Sequence, residues 1–344
     1  IRRAGQTVYT PRHPVRSIVI MASALLALFL LSFVVGRYGV PLGQVVRILL
    51  SGVLPLEQTW TDNMAIAVLN VRLPRILLAC LVGCGLSAAG TGYQTVFQNP
   101  MAAPDILGAS SGACFGAALA IMTGQSAVMI TVFAFLASLL SVALVYLVGN
   151  HTRGNRVVNL LLAGIMVGSL FSACTAYIKL VADPTNQLPQ ITYWLMGSLS
   201  GTRMGTVRFA AVCMAVGLVP LLLLRWRMNL LTLSPDEARA MGVHTERLRL
   251  AVILSSTVLT AAAVSVSGMI GWVGLVIPHL SRRIVGSDCR RLMPMSCLFG
   301  AAFLLLVDNM ARCLTATEIP IGILTAFVGA PFFIYLMVRG GDRS

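Results

Sequence analysis

The chain has 344 residues, of which 57% are hydrophobic and 10% charged, against roughly a quarter charged in soluble domains. Apolar runs of 18 residues or more recur along it, each long enough for the ~20 residues a membrane-crossing helix needs, and they are continuous rather than alternating at period two. A water-soluble globule and an outer-membrane barrel are both excluded, and the net charge of +14 reads as membrane topology rather than as a nucleic-acid footprint.

Taken in order, the chain opens with a polar, basic stretch over 1–17, expected as a cytoplasmic tail, followed by an apolar run over 18–35 that is too long for a signal peptide and lacks a cleavage site. Further spans are expected at 76–96, 106–122, 127–149, 157–181, 205–225, 248–267, a short 269–280, 293–313 and 320–338. The expectation is an all-α, polytopic membrane protein with ten transmembrane helices, both termini cytoplasmic, forming one domain over 1–344. Counting basic residues in alternate loops supports this orientation, with 17 of 25 on the inner side. Gly108, Gly112 and Gly116 fall at i, i+4 and i+8, which leaves a groove on one face of the third span where another helix can approach.

The eight cysteines lie mostly within apolar runs and lack metal-site spacing, so no metal and no cofactor is expected. The only lysine, Lys179, is not in a G-x-x-x-x-G-K-[ST] loop, so the chain has no P-loop of its own and is not read as an enzyme. Residues 229–247 form the longest polar inner loop, and within it the spacing predicts a short capped helix. Ser234 caps, Pro235 suits the first turn, Glu237 closes a capping box and Gly242 ends the helix; Thr245 caps the next span. On grammar alone this is either a docking knob for a soluble partner or a solvated connector.

Three sequence elements then point to one family. The first reads Arg72-Leu73-Pro74-Arg75, followed by Gly90, Gln94, Asn99, Pro100, Ala102, Pro104, Leu107 and Gly108. The second carries Gly271, Gly274, Leu275, Pro278, His279 and Arg282, with Trp272 where phenylalanine is usual, and the third is Ile319-Pro320-Ile321-Gly322 with Gly329, Pro331 and Phe333. This pattern resembles the FecCD family, the permeases of ABC importers for ferric siderophores, haem and cobalamin.

The resemblance implies a type II importer: two permease subunits, here a homodimer with helices 5 and 10 facing the pore, two ABC ATPase subunits, and a periplasmic or lipid-anchored substrate-binding protein, all at a bacterial inner membrane. It moves the loop from connector to docking, so that Ser234, Pro235, Asp236, Glu237, Ala238, Arg239, Met241 and Gly242 are expected to seat in the ATPase. Gln94, Asn99, Pro100, Pro104, Gly108, Gly271, Gly274, Pro278, His279, Arg282, Pro320, Gly322 and Pro331 are motif positions expected to support the gate. Arg72, Arg75 and Arg312 break the inside bias; they are expected to lie exposed on the outer rim, either as interfacial anchors or, as the resemblance implies, docking the binding protein's glutamates. The competing function is an ion-coupled secondary transporter, for which Asp308 is the one ionisable group plainly within a span. The histidines, His13, His151, His244 and His279, are scattered and offer no catalytic set.

Overall fold

The computed structural model describes residues 14–341 except 37, 53, 56, 152–155, 234 and 316, and the side chains of 156, 235, 236, 239 and 335–340 lie outside the description. Among the described residues every regular element is helical. Helix α1 covers Pro14–Ser32, α2 Leu42–Ser51 and α3 Asp62–Ala65, which passes through a π-helical turn at Ile66–Arg72 into α4, Leu73–Val96. A 3-10 turn at Pro104–Leu107 leads into α5 (Ala109–Met122), then α6 (Ala127–His151), α7 (Arg156–Val181), α8 (Gln187–Leu195) and α9 (Met204–Met228). A second 3-10 turn, Asn229–Thr232, precedes α10 (Pro235–Ala240), α11 (Thr245–Ser267), α12 (Val273–Val285), α13 (Cys289–Cys313) and α14 (Ile321–Gly341).

Among the described residues seven units are long and apolar enough to cross a bilayer: α1, the continuous 62–96 helix, α6, α7, α9, α11 and α13. The expected span at 106–122 is shorter as a helix, because the 3-10 turn consumes its first residues, and the one expected at 269–280 is shifted to Val273–Val285 by the break at 268–272. With 13 residues, α12 rises about 20 Å and spans only part of the ~30 Å hydrocarbon core. Helices α2, α3 and α8 were not anticipated, each too short for a hydropathy signal of its own.

The π-helical turn has a cause in the sequence. Pro74 has no N–H to donate and its ring crowds the carbonyl four residues back, and the wider turn, closed by Leu73 N–H on Val68 O, relieves that crowding. The helix therefore continues through the proline instead of ending there.

At the centre stands α4, packed against α13, α11, α12 and α9, while α5, α6 and α7 form an adjoining layer. Burial follows this order: α11 is buried over 72% of its apolar window and α13 over 61%, against 6% for peripheral α1. Small residues make the close contacts possible, as a Cβ at Gly83 or Gly90 would overlap the backbone of Gly300 or Gly274. The expected groove on α5 is filled by α6, with Gly112 against Ala137 and Ser141 and Gly116 against Phe133 and Ala137. Gly108, at φ 72°, sits instead in the left-handed turn that starts α5.

Candidate functional site

Because α4 and α13 pack side by side, Arg75 near the start of one meets Asp308 near the end of the other, 233 positions apart. Arg75 Nε donates to Asp308 Oδ1 at 2.9 Å, and its Nη1 donates to both carboxylate oxygens of Glu318 at 2.8 and 3.0 Å. Arg312 Nε lies 3.2 Å from Asp308 Oδ2 one helical turn on, and Arg312 also donates to Asn309 Oδ1. Arg72 donates to the carbonyls of Phe33 and Tyr38, closing the end of α1, and Asn309 Nδ2 donates to Ser32 Oγ at 2.7 Å. The structure thus brings the three arginines together, as expected, but corrects their exposure: Arg72, Arg75 and Arg312 are 4%, 5% and 7% exposed and committed to partners within the chain. The physical reason is that Asp308, fully buried, and Glu318 supply the counter-charge that lets guanidinium groups leave water. A pocket of about 260 Å³ opens over them, lined by Gly36, Tyr38, Arg72, Arg75, Arg312 and Glu318.

In the last turns of α4 the first two signatures meet. Gln94 Nε2 donates to Leu275 O at 3.2 Å, its Oε1 accepts from Arg282, and Gly90 and Pro104 both abut Gly274. Pro278 is buried inside α12, and His279 Nε2 is buried with no hydrogen-bond partner among the described residues. Asn99 Oδ1 accepts from Met101 N–H at 2.8 Å, shaping the exposed turn around Pro100. Among the described residues no His, Cys, Asp and Glu group has a metal-ligating arrangement.

A cavity of about 810 Å³ opens where α8, the 268–272 break and α14 meet, walled by Met196, Met269, Gly271, Trp272, Gly322, Phe327, Ala330 and Pro331, with Asp105 as its carboxylate. Asp105 accepts from the Ser110 hydroxyl and remains open to the cavity. Gly322 fits against the carbonyls of Met196 and Met269, and Pro320 O accepts from Ile323 N–H at the start of α14. Trp272 has φ 70°, an outlier for a bulky residue that costs of order 1–3 kcal/mol. Its ring lies 6.2 Å from that of Phe333, and a Cβ on Gly329 would stand 2.5 Å from Trp272 Cβ. The non-helical backbone here lines a cavity, the setting in which irregular chain is tolerated at membrane depth.

At the other end of α4 and α13 lies the polar loop. The expected helix is present as α10; Met241 N–H bonds Glu237 O at 3.2 Å, Val243 N–H bonds Ala238 O at 3.0 Å, and Gly242, at φ 75°, ends it. Ala238 is buried while Glu237 and Met241 are exposed. Ser234 and the side chains of Pro235, Asp236 and Arg239 lie outside the described residues. The cap of the next helix differs from expectation, since His244 occupies the N-cap position of α11 and makes no side-chain bond. Sequence reasoning also missed Glu318, whose signal was an acidic residue two positions before Pro320, and Asn229, which gave none.

The FecCD transport family profile matches residues 24–339. The molybdate import system permease MolB of Haemophilus influenzae is 41% identical over 314 residues, covering 90% of this chain and 93% of that one. A Helicobacter pylori protein described as an iron chelatin transport system permease is 42% identical over 280 residues, covering 81% and 84%, and the hemin permease HmuU of Yersinia pestis is 40% identical over 282, covering 80% and 84%. Among solved structures, a metal-chelate type ABC transporter in an inward-facing conformation superposes at a TM-score of 0.84 with 38% identity, covering 94% of this chain and 99% of that one.

Proposed function

The chain belongs to the FecCD transport family and is a permease of the ABC importer type, and from that premise we propose that it forms one half of an ATP-driven path for a ferric siderophore or similar metal chelate across a bacterial cytoplasmic membrane. The observation that carries this reading is the cavity beside α8 and α14: apolar, about 810 Å³, open on one side and strained at Trp272. Its volume lies in the range of small-molecule sites, and its open side is where a second copy, related by a two-fold axis, would complete the wall. On this reading α1, α4, α5, α6, α7, α9, α11, α12, α13 and α14 are the ten membrane segments, both termini are cytoplasmic, the α10 loop seats on an ATPase subunit, and the arginine end faces the binding protein. All three buried arginines line the pocket beside Glu318, and that concentration of guanidinium groups favours a carboxylate from the partner.

The ion-coupled alternative loses support because Asp308, its one candidate, is held between Arg75 and Arg312. Proteoliposomes holding the chain with its ATPase and binding protein should take up iron-55 ferric trihydroxamate or haem when ATP is inside, stop with vanadate and ignore ionophores. Uptake that follows an ion gradient without ATP would overturn the reading.

A further inference from the structure

The geometry points to Asn229 as the positioning residue that carries movement of the α10 loop to α12 and so to Trp272 in the cavity wall. This inference rests on the reading of α10 as the ATPase seat. Asn229 follows α9 directly and opens the 3-10 turn that leads to α10. Both atoms of its side-chain amide are engaged across the α12–α13 corner: Nδ2 donates to Asp288 Oδ1 at 2.7 Å, and Oδ1 accepts from Cys289 N–H at 2.8 Å. The same Asp288 oxygen caps α13 by accepting from Arg290 N–H at 3.0 Å.

Neighbouring contacts hold the same junction. Gln98, at the end of α4, donates to Leu231 O, and the Arg290 guanidinium lies 5.6 Å from the centre of the Trp226 ring. Met228, Leu230 and Leu231 are buried, whereas Leu233, Glu237 and Met241 are exposed. The base of the loop is therefore packed into the bundle, while Leu233, Glu237 and Met241 face outward. From the corner, α12 runs back to Trp272, with Gly274 seated on Gly90 so closely that the helix has no room to flex sideways there. Displacement of the loop base must then move α12 along its axis or break the Asn229 bonds.

The chemistry of the side chain makes it hard to replace. An aspartate at 229 would keep the acceptor for Cys289 but set a second carboxylate against Asp288, and alanine would leave Asp288 without its side-chain donor. Exchanging the two residues, Asn229→Asp with Asp288→Asn, restores one donor, one acceptor and one charge.

The test uses the assembled importer, chain with ATPase and binding protein, and follows hydrogen exchange of the amides across 268–276 with and without ATP and vanadate. The parent complex should show a nucleotide-dependent change of at least about threefold in exchange rate there, a size readily resolved for local opening. Asn229→Ala should keep ATP hydrolysis within about twofold of the parent and lose most of the change at 268–276; Asn229→Asp should behave alike, and the double exchange should recover it. A purely structural role predicts instead that hydrolysis and exchange fall together. No change at 268–276 in the parent, a full change in Asn229→Ala, or loss of ATPase co-purification in that variant would each overturn the inference. Crosslinking of Met241→Cys to the ATPase in the parent is the separate control: its absence removes the reading of α10 as the seat, while its presence with a full change in Asn229→Ala removes only the role of Asn229.

Discussion

The two ends of the α4–α13 pair manage charge in opposite ways. At the Arg75 end, three arginines and two carboxylates are drawn into one cluster, with Asp308 wholly inside the protein. At the Asn229 end the arginines Arg225, Arg227, Arg283, Arg290 and Arg291 stay exposed, and the joints are the amides of Asn229 and Gln98 bonded to backbone groups and to a single half-buried carboxylate, Asp288. A buried ion pair contributes little net stability but leaves a costly orphan when one partner goes, whereas an exposed charge is replaceable. The first end is thus suited to holding α1, α4, α13 and the approach to α14 in register, and the second to making and remaking contact with a partner.

The sharpest break in that comparison is Asp308→Ala. It removes the buried carboxylate that Arg75 and Arg312 share, whose side chains are 7% and 9% exposed, and should cost about 3–5 kcal/mol, the size seen for breaking buried pairs. Folded chain recovered as a monodisperse peak in detergent should fall sharply, while alanine at exposed Arg227 should leave the yield unchanged. For the same reason, glutamate at Arg72, Arg75 and Arg312 together would test folding before it tests docking.

A smaller effect is expected for Glu318→Gln. Glu318 is 28% exposed and pairs with Arg75 alone among the described residues, so the loss should be about 1 kcal/mol and visible as a modest drop in melting temperature. Because the change also frees positive charge in the 260 Å³ pocket, association with the binding protein should quicken at low salt, as stopped-flow measurement would show. A slower association would return the pocket to a purely structural role.

On the opposite end, Gly242→Ala places a Cβ where φ is 75°, with open space around it, so the penalty is the left-handed backbone alone, about 1 kcal/mol. Global melting should barely move. Coupling should suffer more than stability, read as substrate uptake per ATP hydrolysed.

These regions differ in how far the residues alone disclosed them. Pro74 between two arginines signals a disturbed helix, and the Pro235, Glu237 and Gly242 spacing gave α10 and its left-handed end, because caps and prolines act within one or two turns. The Arg75–Asp308 pair was hidden by a separation of 233 positions, and with it the burial of all three arginines. Hydropathy marked the long apolar runs but missed α2, whose Val45 and Ile48 face inward while Leu42, Val46 and Leu50 stay exposed, a face pattern too short to stand out. Asn229 looked like any polar residue after a span, since its importance lies wholly in where the α12–α13 corner falls.

The smallest effect concerns that corner and acid. Burial pushes the Asp288 carboxyl up, but the Arg290 N–H, the Asn229 amide and the charges of Arg290 and Arg291 together outweigh it and hold the group below its ordinary value. A carboxyl depressed in the folded state binds its proton less readily there than in the unfolded chain, so the stability it lends is present at neutral pH and is lost as pH falls through the depressed value. The corner should therefore stay intact across pH 5–8 and loosen only below about pH 4, where free aspartate also protonates. The protection of amides 289–292 in the first turn of α13, taken relative to their intrinsic exchange rates at each pH, should drop there in the parent and stay nearly constant with pH in Asp288→Asn, which keeps a capping oxygen but cannot titrate. Equal acid sensitivity in both would mean that a titrating group other than Asp288 governs the acid response of this corner.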